Sequence, residues 1–379
     1  MGLPGLDEDV RHTHRGLWQD RLAASPSELV GSRVDYRPIE RAPGAFQQPV
    51  TAEQIRAMCR RAFGKHVHVR GAVELGLGSY NSTFRVDLDN LRDLSDNPGA
   101  TEVGGTRPVI LRVAPEQARR YRSERELMRN EHASLPFLAP IAALLPRTLA
   151  VGFTHEILGR DYMFQTMLGG VPAPQGLAAY PRPRWASFFA QLGAITRDIH
   201  AVGGERFGRV AGPTFATWTE AVLASLSDTA ADLEEAGLDA ADLRQVAAVA
   251  ERHSEVLEEV KEPRMLHGDL WTVNVMVEPG AAEPTICGVF DCDRTSWGDP
   301  EADWTIRMAG RRPGTERDAF WTTYGPLATT PEAALRRQIY RARHVGAIRL
   351  ERYRLGGTRN LPETYDEMRD VLGCLHAAS

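Results

Sequence analysis

A chain of 379 residues is too long for one small hydrophobic core, so two or three domains are expected. Its 45 Lys and Arg against 50 Asp and Glu give a formal charge of -5, which supplies no field for drawing in nucleic acid or an anionic membrane, and small-molecule chemistry is the class left open. Cys59, Cys287, Cys292 and Cys374 show no paired metal-ligand spacing and read as free thiols, mostly buried, in a reducing compartment.

Residues 1–50 are rich in Pro, Gly and charge without sustained periodicity and read as an N-terminal extension, its His12 and His14 as members of a solvated tail. The start, MGLPGLDEDVRHTHRGLW, carries acids where an export signal needs an apolar run. Thr51 caps a predicted helix whose Ile55, Met58, Cys59 and Phe63 share one face. Strand-like runs VHVRGAVEL and STFRVDL flank GLGSYN, and a polar stretch from Asn90 to Arg107 separates them from a third run, PVILRVA, as a long hairpin excursion. Residues 116–135 are charged and helix-prone. The longest apolar run, ASLPFLAPIAALLP, is interrupted by Pro136 and Pro140 and is too short to span a bilayer, so a soluble, cytoplasmic protein is expected. HEILGRDYMFQTMLGG gives a turn and another strand. After Pro172 helices dominate: Trp185, Phe188, Phe189, Leu192, Ile195 and Ile199 recur near every 3.6 residues, and further helices are predicted at about 214–236 and 240–260. Strands return between Leu266 and Phe290, and the tail from Pro300 is helical.

The chemistry concentrates where those late strands begin. NVMVE and TICGVFD flank the loop PGAAEP and predict an antiparallel hairpin; a turn centred near Ala282 and Glu283 sets Asn274 opposite Asp291. An amide oxygen and a carboxylate are what Mg²⁺ takes from a protein when phosphates and water complete its octahedron. Asp269, five residues before Asn274, then sits beside the ion as a base.

HGDLWTVN followed by VFDCDRTSWGDPEADW resembles the paired signatures of the aminoglycoside phosphotransferase family, small-molecule kinases, from about residue 51 to the end. The resemblance implies an α+β, bilobal, protein-kinase-like fold: a nucleotide-binding lobe at 51–170 with an antiparallel sheet and one main helix, and a larger, mostly helical catalytic and substrate-binding lobe at 171–379 carrying the catalytic hairpin. It implies that Asp269 accepts the proton of a substrate hydroxyl, that Asn274 and Asp291 hold Mg²⁺, and that His267 is structural. Asp299 reads as a helix N-cap before Pro300, and Asp303 resembles the Asp that braces the catalytic loop. In the first lobe the backbone N–H groups of Gly78, Ser79, Tyr80 and Asn81 would approach phosphate oxygens. Arg112 stands where the family has a Lys on the third strand, a planar fork in place of a point charge. Glu131 is its expected partner, with Glu126 and Glu124 as competitors. Backbone groups near Thr166 and Leu168 would meet the adenine edge.

The expected activity is transfer of the γ-phosphoryl group of ATP or GTP to a hydroxyl of a small molecule, an antibiotic or related natural product. A metabolic kinase of choline, homoserine or sugar type is the alternative within the class, and a non-catalytic nucleotide-binding regulatory module the alternative outside it. The segment from Asp228 to Glu262 is acidic, as a polycationic acceptor would need, whereas Arg336, Arg337, Arg341, Arg343, Arg349, Arg352 and Arg354 make the C-terminal helices basic and favour a less basic one.

Overall fold

The computed structural model describes residues 35–76, 78–91 and 106–378. His12, His14 and most of the stretch from Asn90 to Arg107 lie outside the described residues. Two compact units divide the chain: Met1–Glu116 with Arg147–Met167, and Gln117–Pro146 with Leu168–Ser379. Residues 117–146, expected in the first lobe, thus belong to the second unit, because their helical turns pack on its helix Trp185–His200 and its loop Cys292–Arg294.

In the first unit, Thr51 begins α1 (Ala52–Phe63) with a reciprocal cap: its hydroxyl accepts from Gln54 N–H and the Gln54 side chain accepts from Thr51 N–H. Ile55, Met58 and Cys59 are buried on the face that the helical period predicts. The sheet runs β1 (Asp35–Arg37), β2 (His68–Glu74), β3 (Ser82–Asp89), β4 (Arg107–Val113), β6 (Tyr162–Thr166), β5 (Thr148–Gly152). Alternate residues Phe84, Val86 and Leu88 of β3 and Val109, Leu111 and Val113 of β4 join α1 in one core. Residues 35–50 are not a free arm: β1 pairs in parallel with Gly71–Val73 at the open edge of β2, and Tyr36 Oη donates to Val50 O (2.5 Å).

The second unit contains α2 (Leu127–Ser134), β7 (Val171–Pro172), α3 (Trp185–His200), β8 (Phe207–Arg209), β9 (Thr214–Phe215), α4 (Trp218–Glu235) and α5 (Ala241–Arg252). It continues through β10 (Arg264–Leu266), β11 (Val275–Val277), β12 (Ile286–Val289), β13 (Ser296–Gly298), α6 (Trp304–Gly310), α7 (Ala319–Tyr324), α8 (Pro331–Arg354) and α9 (Leu361–Ala378). One sheet is ordered β10-β13-β8-β9, the other β12-β11-β7. Phe188, Phe189, Leu192, Ile195 and Ile199 of α3 pack against Leu270, Val275, Val277 and Val289, which seats the β11–β12 hairpin on a helical core.

The hairpin register differs from expectation by one residue. Val275 faces Val289, and Phe290 N–H donates to Asn274 O (3.1 Å), so Asn274 lies opposite Phe290 rather than Asp291. Val277 faces Ile286 beside the turn, two residues short of the partner that a turn centred on Ala282 and Glu283 would give it, and an irregularity between Met276 and Val277 takes back one of the two on the β12 side. Cys59 and Cys292 are buried thiols, while Cys374 is exposed. Among the described residues no helix is long and apolar enough to cross a membrane.

Candidate active site

β10 ends at buried Leu266, and the chain then turns through His267, Gly268 and Asp269. The turn requires glycine: Gly268 has φ +80°, and a Cβ there would meet the Arg294 carbonyl oxygen at 2.4 Å. Asp303 holds the loop from beneath. Its carboxylate accepts His267 N–H (2.8 Å), Gly268 N–H (3.2 Å), Thr305 N–H (3.3 Å) and His200 Nε2 (3.0 Å). Burial alone would raise the Asp303 pKa, but the His200 hydrogen bond and the charge of the two imidazoles hold it down at about 2. His267 is fully buried, and burial lowers its pKa against the opposing charges of Asp303 and Asp291.

Asp269 is half-buried, and burial pushes its pKa up to about 7, opposed by the Arg294 guanidinium and reinforced by Asp291 and Glu351. A carboxylate raised that far is a better proton acceptor than an ordinary one. Asn274 orients it: Nδ2 donates to Asp269 O (2.7 Å) and Asp269 Oδ2 (3.2 Å). Asn274 itself closes a helical turn at Thr272–Asn274 that leads into β11.

Asp291 follows β12 in the left-handed region (φ 63°, ψ 51°), and that kink redirects the chain after the strand. Carboxylate oxygens of Asp291, Asp293 and Glu131 lie within 4.8 Å of one another. Glu131 is 2% and Asp293 4% exposed. Three hard oxygen donors at this spacing fit a divalent cation such as Mg²⁺. Asp293 was not singled out from the sequence, although its spacing from Asp291 in FDCDR was the available signal. A second unforeseen residue, Asn130, assembles the cluster. Its Nδ2 donates to Asp293 O (2.9 Å), Thr295 O (2.9 Å) and Thr295 Oγ1 (3.0 Å), while its Oδ1 accepts from Ala211 N–H (2.8 Å). Those bonds fix α2, and with it Glu131, to the loop that carries Asp293. Of the competing acids, Glu124 pairs with Arg354 (2.5 Å) and Glu126 is exposed. Asp299 is the expected N-cap, accepting from Glu301 N–H (3.0 Å) ahead of Pro300 at the first helical position.

In the first unit, Gly78, Ser79, Tyr80 and Asn81 form the turn between β2 and β3. Arg112 lies on β4 between Thr83 of β3 and Met163 of β6 and is 8% exposed. Thr166 ends β6 with its N–H donated to Arg147 O (2.9 Å) and its hydroxyl accepting from Arg147 N–H (2.9 Å), so that N–H is engaged by the sheet. Leu168, in the second unit, packs over Gly288 of β12, where a Cβ would meet Leu168 Cδ1 at 2.9 Å.

A family model described as APH, phosphotransferase enzyme family, matches residues 74–336. Among solved structures, aminoglycoside phosphotransferase APH(4)-Ia aligns with a TM-score of 0.58 and 18% identity over 86% of this chain and 99% of that one. A thermostable mutant of the same protein, in a ternary complex with AMP-PNP and hygromycin B, gives 0.56 and 19% over 85% and 98%. The GDP complex of an aminoglycoside 2'-phosphotransferase-IIIa mutant gives 0.56 and 15% over 87% and 100%. No curated protein sequence matches the chain. At these identities the structural likeness is one of fold, the α+β, protein-kinase-like fold expected from the sequence.

Proposed function

Because the chain belongs to the phosphotransferase enzyme family, we propose that it moves the γ-phosphoryl group of ATP or GTP to a hydroxyl of a small molecule, an antibiotic or related natural product. The observation that carries this reading is Asp269: a half-buried carboxylate, raised to about 7 by burial, hydrogen-bonded by Asn274 and electrostatically coupled to Asp291. Its role is to accept the acceptor's hydroxyl proton as the oxygen attacks the γ-phosphorus. Solved relatives in complex with AMP-PNP or GDP support a nucleotide as the donor.

Glu131, Asp291 and Asp293, with Asn274 beside the base, are the residues that would hold Mg²⁺, whose contribution when bound is neutralisation of charge on the phosphates. In this reading the N–H groups of residues 78–81 and the Arg112 guanidinium take the donor phosphates, and backbone near Thr166 and Leu168 takes the base. An aromatic row begins two residues after the base. Trp271 lies 6.4 Å from the Trp304 ring, which lies 5.2 Å from His344, with the Arg307 guanidinium 5.8 Å from the Trp304 centroid.

A phosphotransfer screen with ATP and GTP across antibiotic classes and small hydroxyl metabolites tests the proposal. Acceptor-dependent ADP or GDP formation, abolished in Asp269→Asn, is the expected outcome. Nucleotide binding without turnover on any acceptor would favour the regulatory module, and turnover on choline, homoserine or a sugar alone the metabolic kinase.

A further inference from the structure

The segment between β1 and α1 has no part in the chemistry described so far, yet it is bonded to the turn assigned to phosphate. Gln47 Nε2 donates to Gly78 O (3.0 Å) and to Asn81 O (2.8 Å). Its other amide atom is committed as well, since Gln47 Oε1 accepts from Arg41 (3.0 Å), whose guanidinium pairs with Glu74 at the end of β2 (2.7 Å). This chain fixes which way the Gln47 amide faces. The Phe46 ring lies 5.7 Å from the Tyr80 ring. Ile39 fills the space beside Gly76, where a Cβ would meet Ile39 Cδ1 at 2.2 Å, and Ile39 N–H donates to Glu74 Oε2 (2.8 Å). On the far flank, Gln48 Oε1 accepts from Glu116 N–H (2.9 Å) and the Arg160 guanidinium donates to Pro49 O (3.1 Å). The segment is therefore tied to the sheet on both sides of Gln47.

We propose that Gln47 is a positioning residue for the nucleotide, holding the turn Gly78–Asn81 in the shape that presents its N–H groups to phosphate. The role rests on the phosphotransferase reading above. Carbonyl oxygens turned toward a phosphate repel it, and one amide nitrogen shared by the carbonyls at both ends of the turn keeps both lone-pair sets occupied. A glycine-containing turn also loses conformational freedom when it closes on a ligand, and a turn already pinned loses less, which raises affinity without any contact between Gln47 and the nucleotide.

Full-length wild type, Gln47→Ala, Gln47→Glu and Arg37→Ala are compared by amide hydrogen exchange at residues 78–81, by titration with Mg²⁺ and a non-hydrolysable ATP or GTP analogue, and by steady-state kinetics. Gln47→Glu keeps the shape and the Arg41 contact but offers oxygen where two carbonyls need a donor. Both Gln47 variants should exchange faster at the turn and bind nucleotide about tenfold more weakly, with KM for nucleotide rising in step and kcat within about twofold of wild type. Arg37→Ala, whose exposed guanidinium pairs with the nearby Asp35, should leave all three readouts unchanged. Unchanged exchange at the turn, or unchanged nucleotide affinity in the face of faster exchange, overturns the role while wild-type binding keeps the phosphotransferase reading intact. Wild-type protein that binds neither nucleotide removes that reading and the role of Gln47 with it.

Discussion

Asp269 is tuned by opposing neighbours: burial, Asp291 and Glu351 favour its protonated form, while Arg294 and the Asn274 amide favour the carboxylate. Replacing it with Asn keeps the shape of the site and removes only the proton acceptor, so kcat should fall at least ~100-fold with nucleotide affinity within about threefold of wild type. Coupled ADP or GDP release, read beside nucleotide titration, checks this, and undiminished turnover would take Asp269 out of the mechanism. The carboxylate cluster makes a separate demand. If Asp293 shares a cation with Asp291 and Glu131, Mg²⁺ should raise the melting temperature of the wild type through binding to the folded state, and raise it far less in Asp293→Asn. Equal Mg²⁺-induced shifts in the two proteins would remove Asp293 from the site.

At the scale of elements, α2 and the loop after β12 behave as one clasp because Asn130, buried at 0% exposure, bonds three oxygens of residues 293–295 and the amide of Ala211. Asn130→Ala strands those groups and should cost about 2–4 kcal/mol, lowering the melting temperature by roughly 5–10 °C. Because Glu131 rides on the same helix, the apparent affinity for Mg²⁺ should fall as well, and a variant that melts earlier with unchanged Mg²⁺ response would confine Asn130 to stability. None of this was legible in the sequence, where Asn130 and Thr295 are 165 positions apart and neither belongs to a periodic pattern. What was legible obeys local rules: the capping box at Thr51, the apolar face of α3, and the N-cap at Asp299 all follow from residues within one or two turns of each other. The hairpin was legible but its register was not, since the PGAAEP turn closes on Val277 and Ile286 rather than symmetrically about Ala282 and Glu283, and the irregularity at Met276 and Val277 returns only one of the two residues of offset. Residues 35–50 were misjudged for a related reason: short irregular segments that pair with a sheet edge carry no periodic signal of their own.

At the scale of the whole molecule, the second unit depends on a charge that folding has made unusually acidic. Asp303 unites the loop His267–Asp269, the start of α6 and His200 of α3, and its folded-state pKa of about 2 lies below the ordinary carboxylate value of 3.8. A group depressed on folding contributes stability that is fully present above its unfolded pKa and disappears as pH falls through its folded one. Here the window runs from about pH 4 down to about pH 2, and the difference between the two values corresponds to about 2 kcal/mol. Asp303→Asn removes the titrating group along with the charge that holds the His267 and Gly268 amides and the His200 ring. At neutral pH the variant should therefore unfold at lower urea than the wild type, with phosphotransfer reduced in parallel because the loop presenting Asp269 loses its brace. As pH drops from 4 toward 2 the wild type should lose this advantage, and the gap between the two urea midpoints should narrow. Midpoints measured at intervals across that range decide the matter: a gap that stays constant from pH 5 to pH 2 would mean that the Asp303 carboxylate carries no special share of the acid sensitivity of the fold.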